Sequence, residues 1–147
     1  MTGPAGAESP LLGTASVVDG DTLEIRSQRV RLHGIDAPES RQLCTRQDGT
    51  RWRCGQQAAL ALADRIGTAT VRCEGNSRDR YGRLIAVCYK NKEDLNRWMV
   101  ANGWAVAYRR YSLAYAPDED RARAARNGIW SSTFDMPWDW RAGVKRQ

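Results

Sequence analysis

The chain has 147 residues, a formal charge of +6, 41% hydrophobic and 27% charged residues, which suits one globular domain with a core of its own. No apolar run approaches the ~20 residues that span a bilayer, which sets aside a helical membrane protein. All but three of the 23 basic residues are arginine, the side chain that forks onto phosphate oxygens, so a polyanion partner fits.

Residues 1 to 12 are small and polar and read as a loose arm. They lack the basic and apolar regions of a secretory leader. "TASVVDGDTLEIRS" reads as a strand and "RVRLHGID" as a second, joined by a short turn around Ser27-Gln28. The first run holds Asp19 and Asp21, although aspartate is depleted from strands because it prefers to bond its own backbone. Asp-Gly is also a hairpin-turn signal, so strand and turn both stand open here.

"GQQAALALADRIG" follows, with Ala59, Leu62, Ala63 and Ile66 at helical spacing and Gly67 at the expected stop. "TATVRCEG" and "RLIAVCYKN" read as two more strands, with the turn in "NSRDRYG". "EDLNRWMVANG" reads as a helix with Glu93 and Asp94 in its first turn and Leu95, Trp98 and Met99 on one face. A last helix opens at Pro117 and closes at Asn127-Gly128. Trp98 and Trp104 are expected in the core, and the tryptophan-rich tail, residues 134–147, is expected to pack back on a domain of residues 13–133. This order predicts an α+β fold built on a small Greek-key barrel of the oligonucleotide-binding type.

The cysteines form two local pairs without zinc spacing. Disulfides Cys44–Cys54 and Cys73–Cys88 are expected, with an oxidising compartment; four reduced thiols are the alternative.

Three segments carry more polar residues than packing asks for: "DGDT", "RVRLHGIDAPE" and "RDRYGR". Brought together, Asp21 and Asp36 offer two hard oxygen ligands for Ca²⁺ or Mg²⁺, and with a carbonyl and waters they suit a calcium site. Pro38 holds Ala37 extended and aims Glu39 back at the ion, where a carboxylate can take a proton from water. Arg31 and Arg83 supply positive charge for a phosphodiester whose oxygens gain negative charge during attack. Each segment alone also reads as a turn or solvated loop.

Together with "LNRWMVANGWA" and "NGIW", these motifs resemble, in order and spacing, the staphylococcal-nuclease-like (thermonuclease) family from about Ala15 to Trp130. The resemblance implies a five-stranded oligonucleotide-binding barrel with three helices. It implies a Ca²⁺-dependent nuclease that cleaves single-stranded DNA and RNA to leave 3′-phosphates.

Position by position, it implies Asp21, Asp36 and the Ala37 carbonyl as calcium ligands, with alanine where the family often has threonine. Asp19 becomes the acid that hydrogen-bonds the metal's waters, Glu39 the general base, and Arg31 and Arg83 the phosphate-binding pair. Tyr81 and Tyr108 match two nucleotide-contacting tyrosines; a further one falls on Arg110, with Tyr111 beside it.

His33 is expected at the surface or in packing, and Arg109 and Arg110 on a solvated basic face. The alternative from another class is a non-catalytic nucleic-acid-binding module on the same barrel. Asp21, Asp36, Glu39, Arg31 and Arg83 are all present, a set such a module has no need to keep. The expected protein is a secreted or periplasmic monomer with no membrane partner.

Overall fold

The structure is a computed structural model that describes residues 9–144. Its strands are β1 (Leu11–Asp19), β2 (Thr22–Ile25), β3 (Gln28–Leu32), β4 (Ile35–Asp36), β5 (Cys44–Thr45), β6 (Arg51–Trp52), β7 (Thr70–Arg78), β8 (Leu84–Lys90), β9 (Glu93–Asp94) and β10 (Val106–Ala107). Its helices are α1 (Cys54–Ile66), α2 (Leu95–Ala101), α3 (Ala116–Ala124) and α4 (Pro137–Ala142), with a 3₁₀ turn at Gly128–Ser131.

Five strands close a barrel in the order β3-β2-β1-β7-β8, and β3 pairs in parallel with β8 to complete it. β9 adds to β8 at its far end. Strand alternation turns Val30, Leu32, Leu84 and Ala86 into the core. The same alternation leaves Arg31 and Ile85, opposite each other across the closing pair, on the outer wall.

α1 covers the barrel with Ala58, Leu62 and Ile66, and α2 with Leu95 and Met99. Buried Asn96 fastens α2 to the barrel: its amide donates to the carbonyls of His33 and Ala86, and its oxygen accepts from the Cys88 N–H. Trp98 and Trp104 pack partly buried against this core. A second cluster gathers Cys44, Cys54, Val106 and Ile129 under Trp52, Trp130, Phe134, Met136 and Trp138. Phe134, Met136 and Trp138 thus lie against Val106 and Ile129. The expected α+β barrel and both expected disulfides are present.

Several expectations are corrected. The run "TASVVDGDTLEIRS" is two strands, because Gly20 and Asp21 form the turn between β1 and β2; Asp21 is in no strand. The next turn falls on Arg26 and Ser27, both at positive φ, one residue earlier than expected. Leu11 and Leu12 belong to β1, since they pair with Cys73 and Arg72 of β7; of the rest of the proposed arm, Ser9 and Pro10 are exposed and in no strand, and residues 1–8 lie outside the described residues.

β7 runs on through Arg78, so the turn of "NSRDRYG" begins only at Asp79. Glu93 and Asp94 pair with β8 rather than open α2; the Asp94 carboxylate caps it, accepting from the Arg97 N–H. α3 takes Pro117 at its second position and ends at Ala124, and Gly128 opens the 3₁₀ turn instead. A short fourth helix, α4, lies in the tail.

Candidate active site

The β1–β2 turn packs flat on the chain beyond β4. A Cβ on Gly20 would stand 2.7 Å from the Ala37 Cβ, so only glycine allows this approach. Asp21 is thereby carried into the interior, 6% exposed. One of its oxygens accepts from the Ala37 N–H at 2.8 Å, the other from the Thr22 hydroxyl at 3.1 Å. Asp19, at the end of β1, accepts from the Asp21 N–H at 3.3 Å.

β4 places Asp36 opposite Val106 of β10, with no exposed surface. Arg31 bridges the two acids, 3.4 Å from an Asp21 oxygen and 3.5 Å from an Asp36 oxygen. Glu39 follows Pro38 on a loop held from below. Its N–H donates to the fully buried Gln42 side chain, and Gly55 of α1 meets its carbonyl so closely that a Cβ there would lie 1.6 Å from the oxygen.

Arg83 stands on the far wall. Asp79 organises that turn: one carboxylate oxygen accepts from the N–H groups of Tyr81 and Arg83, and the other from the Arg83 Nε at 2.6 Å. Tyr81 lies exposed beside it, with the Arg80 and Arg83 guanidinium groups 4.9 and 5.5 Å from its ring centre.

Asp19, Asp21, Arg31, Glu39, Tyr81, Arg83, Tyr108 and Tyr111 all line one open cleft of about 1180 Å³, beside which Asp36 and Ala37 lie buried. His33, expected at the surface or in packing, lines the same cleft. Arg109 is bonded to Glu119 and Asp120, so part of the basic face expected from sequence is held in ion pairs. The two disulfides belong to the two hydrophobic clusters and do not line the cleft.

One cleft residue has no signal in the sequence pattern. Arg141, in α4, donates to both oxygens of Asp36 at 2.9 and 2.8 Å and to Glu39 at 2.7 Å. "PWDWRAG" carries the marks of a short helix: proline at its start, an early acid, and Gly143 at φ 77° past its end. Nothing local points its arginine at an acid 105 residues away.

The acids are crowded. Burial, then repulsion from Asp21, pushes the Asp19 carboxyl up to about 7. Burial pushes Asp36 up to about 6 even though Arg141 bonds it. Burial acts on Asp21 the same way, but the Arg31 charge and the hydrogen bonds it accepts prevail and hold it below the usual carboxylate range. Among the described residues no group of three or more histidine, cysteine or carboxylate side chains stands ready for a metal. The donors to hand are the carboxylates of Asp21 and Asp36, both reached by Arg31. These are hard oxygen ligands of the kind Ca²⁺ takes, and Arg141 already shows the position accepting a cation.

Residues 29–132 match the family model of staphylococcal nuclease homologues. The chain is 42% identical over 133 residues to the succinoglycan biosynthesis protein ExoI of Rhizobium meliloti (strain 1021), spanning 88% of this chain and 70% of that one. It is 35% identical to an uncharacterized endonuclease of Haemophilus influenzae, over 88% of this chain and 71% of the other. A micrococcal nuclease of Shigella flexneri is 33% identical, over 88% and 79% of the two chains.

Proposed function

The chain belongs to the family of staphylococcal nuclease homologues, and on that premise we propose that it is a Ca²⁺-dependent nuclease acting on single-stranded DNA and RNA. The observation that carries the reading is Arg31, bracketed by Asp21 and Asp36 in a cleft that also holds Glu39 and Arg83. Asp21, Asp36 and the Ala37 carbonyl would hold Ca²⁺, which when bound supplies Lewis-acid stabilisation of the charge growing on the phosphate.

Glu39, on a loop fixed by Gln42 and Gly55, takes the proton of a water at its carboxylate as that water attacks phosphorus. Arg31 and Arg83 donate to the non-bridging oxygens. Both are already oriented by carboxylates, so little reorganisation is needed when charge builds; one such donor contributes about 3–4 kcal/mol. The bond to the 5′-oxygen breaks and that oxygen takes a proton from water, leaving a 3′-phosphate and a 5′-hydroxyl. Asp19 orients waters from the rim, and Tyr81, Tyr108 and Tyr111 offer ring faces to sugar and base.

The disulfides support an exported protein, secreted or periplasmic, since such bonds persist in oxidising compartments. No described helix is long and apolar enough to cross a membrane.

Labelled single-stranded DNA and RNA, incubated with Ca²⁺ or with chelator, test the reading. Cleavage to 3′-phosphate ends only with Ca²⁺ is the expected result. Full cleavage in excess chelator removes the metal from the mechanism, and binding without cleavage returns the chain to a non-catalytic module.

A further inference from the structure

We propose that the C-terminal segment carrying α4 is an intramolecular latch. In this arrangement Arg141 stands in for the divalent cation and Trp138 for a nucleotide base. Both must leave before the site works. The proposal rests on the nuclease reading of the cleft.

Two separate contacts support it. The first is at the acids. Asp36 has no exposed surface, and Arg141, itself 40% exposed, bonds both its oxygens from the cleft side. A divalent ion reaching Asp36 from solvent meets this guanidinium first, and two cations repel at the same carboxylate. The same group also donates to Glu39 at 2.7 Å, so that carboxylate oxygen is already taken on the side a water would use.

The second contact is at the tyrosines. The Trp138 ring lies 5.0 Å from that of Tyr108, which in turn lies 4.8 Å from Tyr111. Tilted 32° to Tyr108, the Trp138 ring covers one of its faces and closes that face to a base.

A helix of six residues is marginal once undocked, so releasing the segment also frees its amides. The segment is entered through a loop that Gln42 holds by the Asp135 carbonyl. It leaves through Gly143 into exposed Val144. Gln42 also holds the Glu39 N–H, so the latch and the base share one buried support.

Two measurements on the full chain test the latch without using cleavage. Calorimetric titration with Ca²⁺ compares the parent with Arg141→Gln, and Trp138→Ala serves as a second variant that leaves Asp36 untouched. Tighter binding by about tenfold in Arg141→Gln, and a smaller gain in Trp138→Ala, are expected. Hydrogen exchange then follows the Trp140 amide, bonded to the Met136 carbonyl in the latched form, and it should speed up on saturation with Ca²⁺.

Weaker or unchanged Ca²⁺ binding in both variants would make Arg141 a brace for Asp36 and overturn the latch. So would an exchange rate at Trp140 indifferent to Ca²⁺. If Ca²⁺ binds and opens the segment but no strand is cut, the nuclease reading fails and the latch stands. If no protein binds Ca²⁺, both fall.

Discussion

Asp19 and Asp36 show what burial does to single acids in this cleft. Their carboxyl groups titrate near 7 and 6 against an ordinary value of 3.8, so the folded chain binds more protons than the unfolded one across that interval. The stability these two groups contribute is full below about pH 4 and is lost as pH rises through their folded values. Melting of the metal-free protein should therefore show that contribution fading from about pH 4 to pH 7. Added Ca²⁺ should raise the melting temperature more near pH 7.5 than near pH 5, because the ion needs ionised ligands. Equal Ca²⁺ shifts at both would disconnect the ion from these carboxylates. Glu39→Gln keeps the shape of the base and removes its proton affinity. Turnover should fall by about 10²–10⁴ while oligonucleotide binding, read by anisotropy, stays nearly intact; unchanged turnover dismisses Glu39 as base.

At the level of elements, the site is made where helix and hairpin press on the loop after β4. Gly55, in the first turn of α1, faces the Glu39 carbonyl, and Gly20 faces Ala37. A methyl group at residue 55 cannot be taken up by a flexible side chain, because it meets backbone. Gly55→Ala should cost about 1–3 kcal/mol in denaturant unfolding and should reduce turnover at temperatures where the variant is fully folded. Full turnover in a folded variant would mean that the loop gives way without moving the base. α3 shows the same economy of position. Its Asp118 and Glu119 are buried, bonded to Arg97 and Arg121 and to Arg109 and the Ala107 N–H, so acids that look like ordinary helix-start residues tie three elements together.

For the molecule as a whole, the barrel is closed by the short parallel seam of β3 and β8, and Cys73–Cys88 cross-links β8 to its antiparallel barrel partner, β7. The pair closes a loop of separation 15, a constraint worth about 3 kcal/mol in the chain-entropy account. Replacing both with alanine should lower unfolding free energy by about that amount with the cleft left working, since neither cysteine lines it. A large loss of turnover in the folded variant would show that the barrel wall sets the cleft more directly than its lining suggests.

From the sequence alone came whatever short-range chemistry encodes. The cysteines pair across only 10 and 15 positions, and the span of α1 follows from its own periodicity and stop. The ordered motifs located the acids and arginines and, by resemblance, the barrel that joins them. Folding in three dimensions settled the rest. Asp21 lies in a turn because Gly20 packs on Ala37; Glu39 is held from below by Gly55; Arg141 reaches Asp36 across 105 positions of chain. Hydrophobic periodicity records which face a residue buries, but not what arrives opposite it. Contacts between distant segments arise only when the core closes and brings their surfaces together.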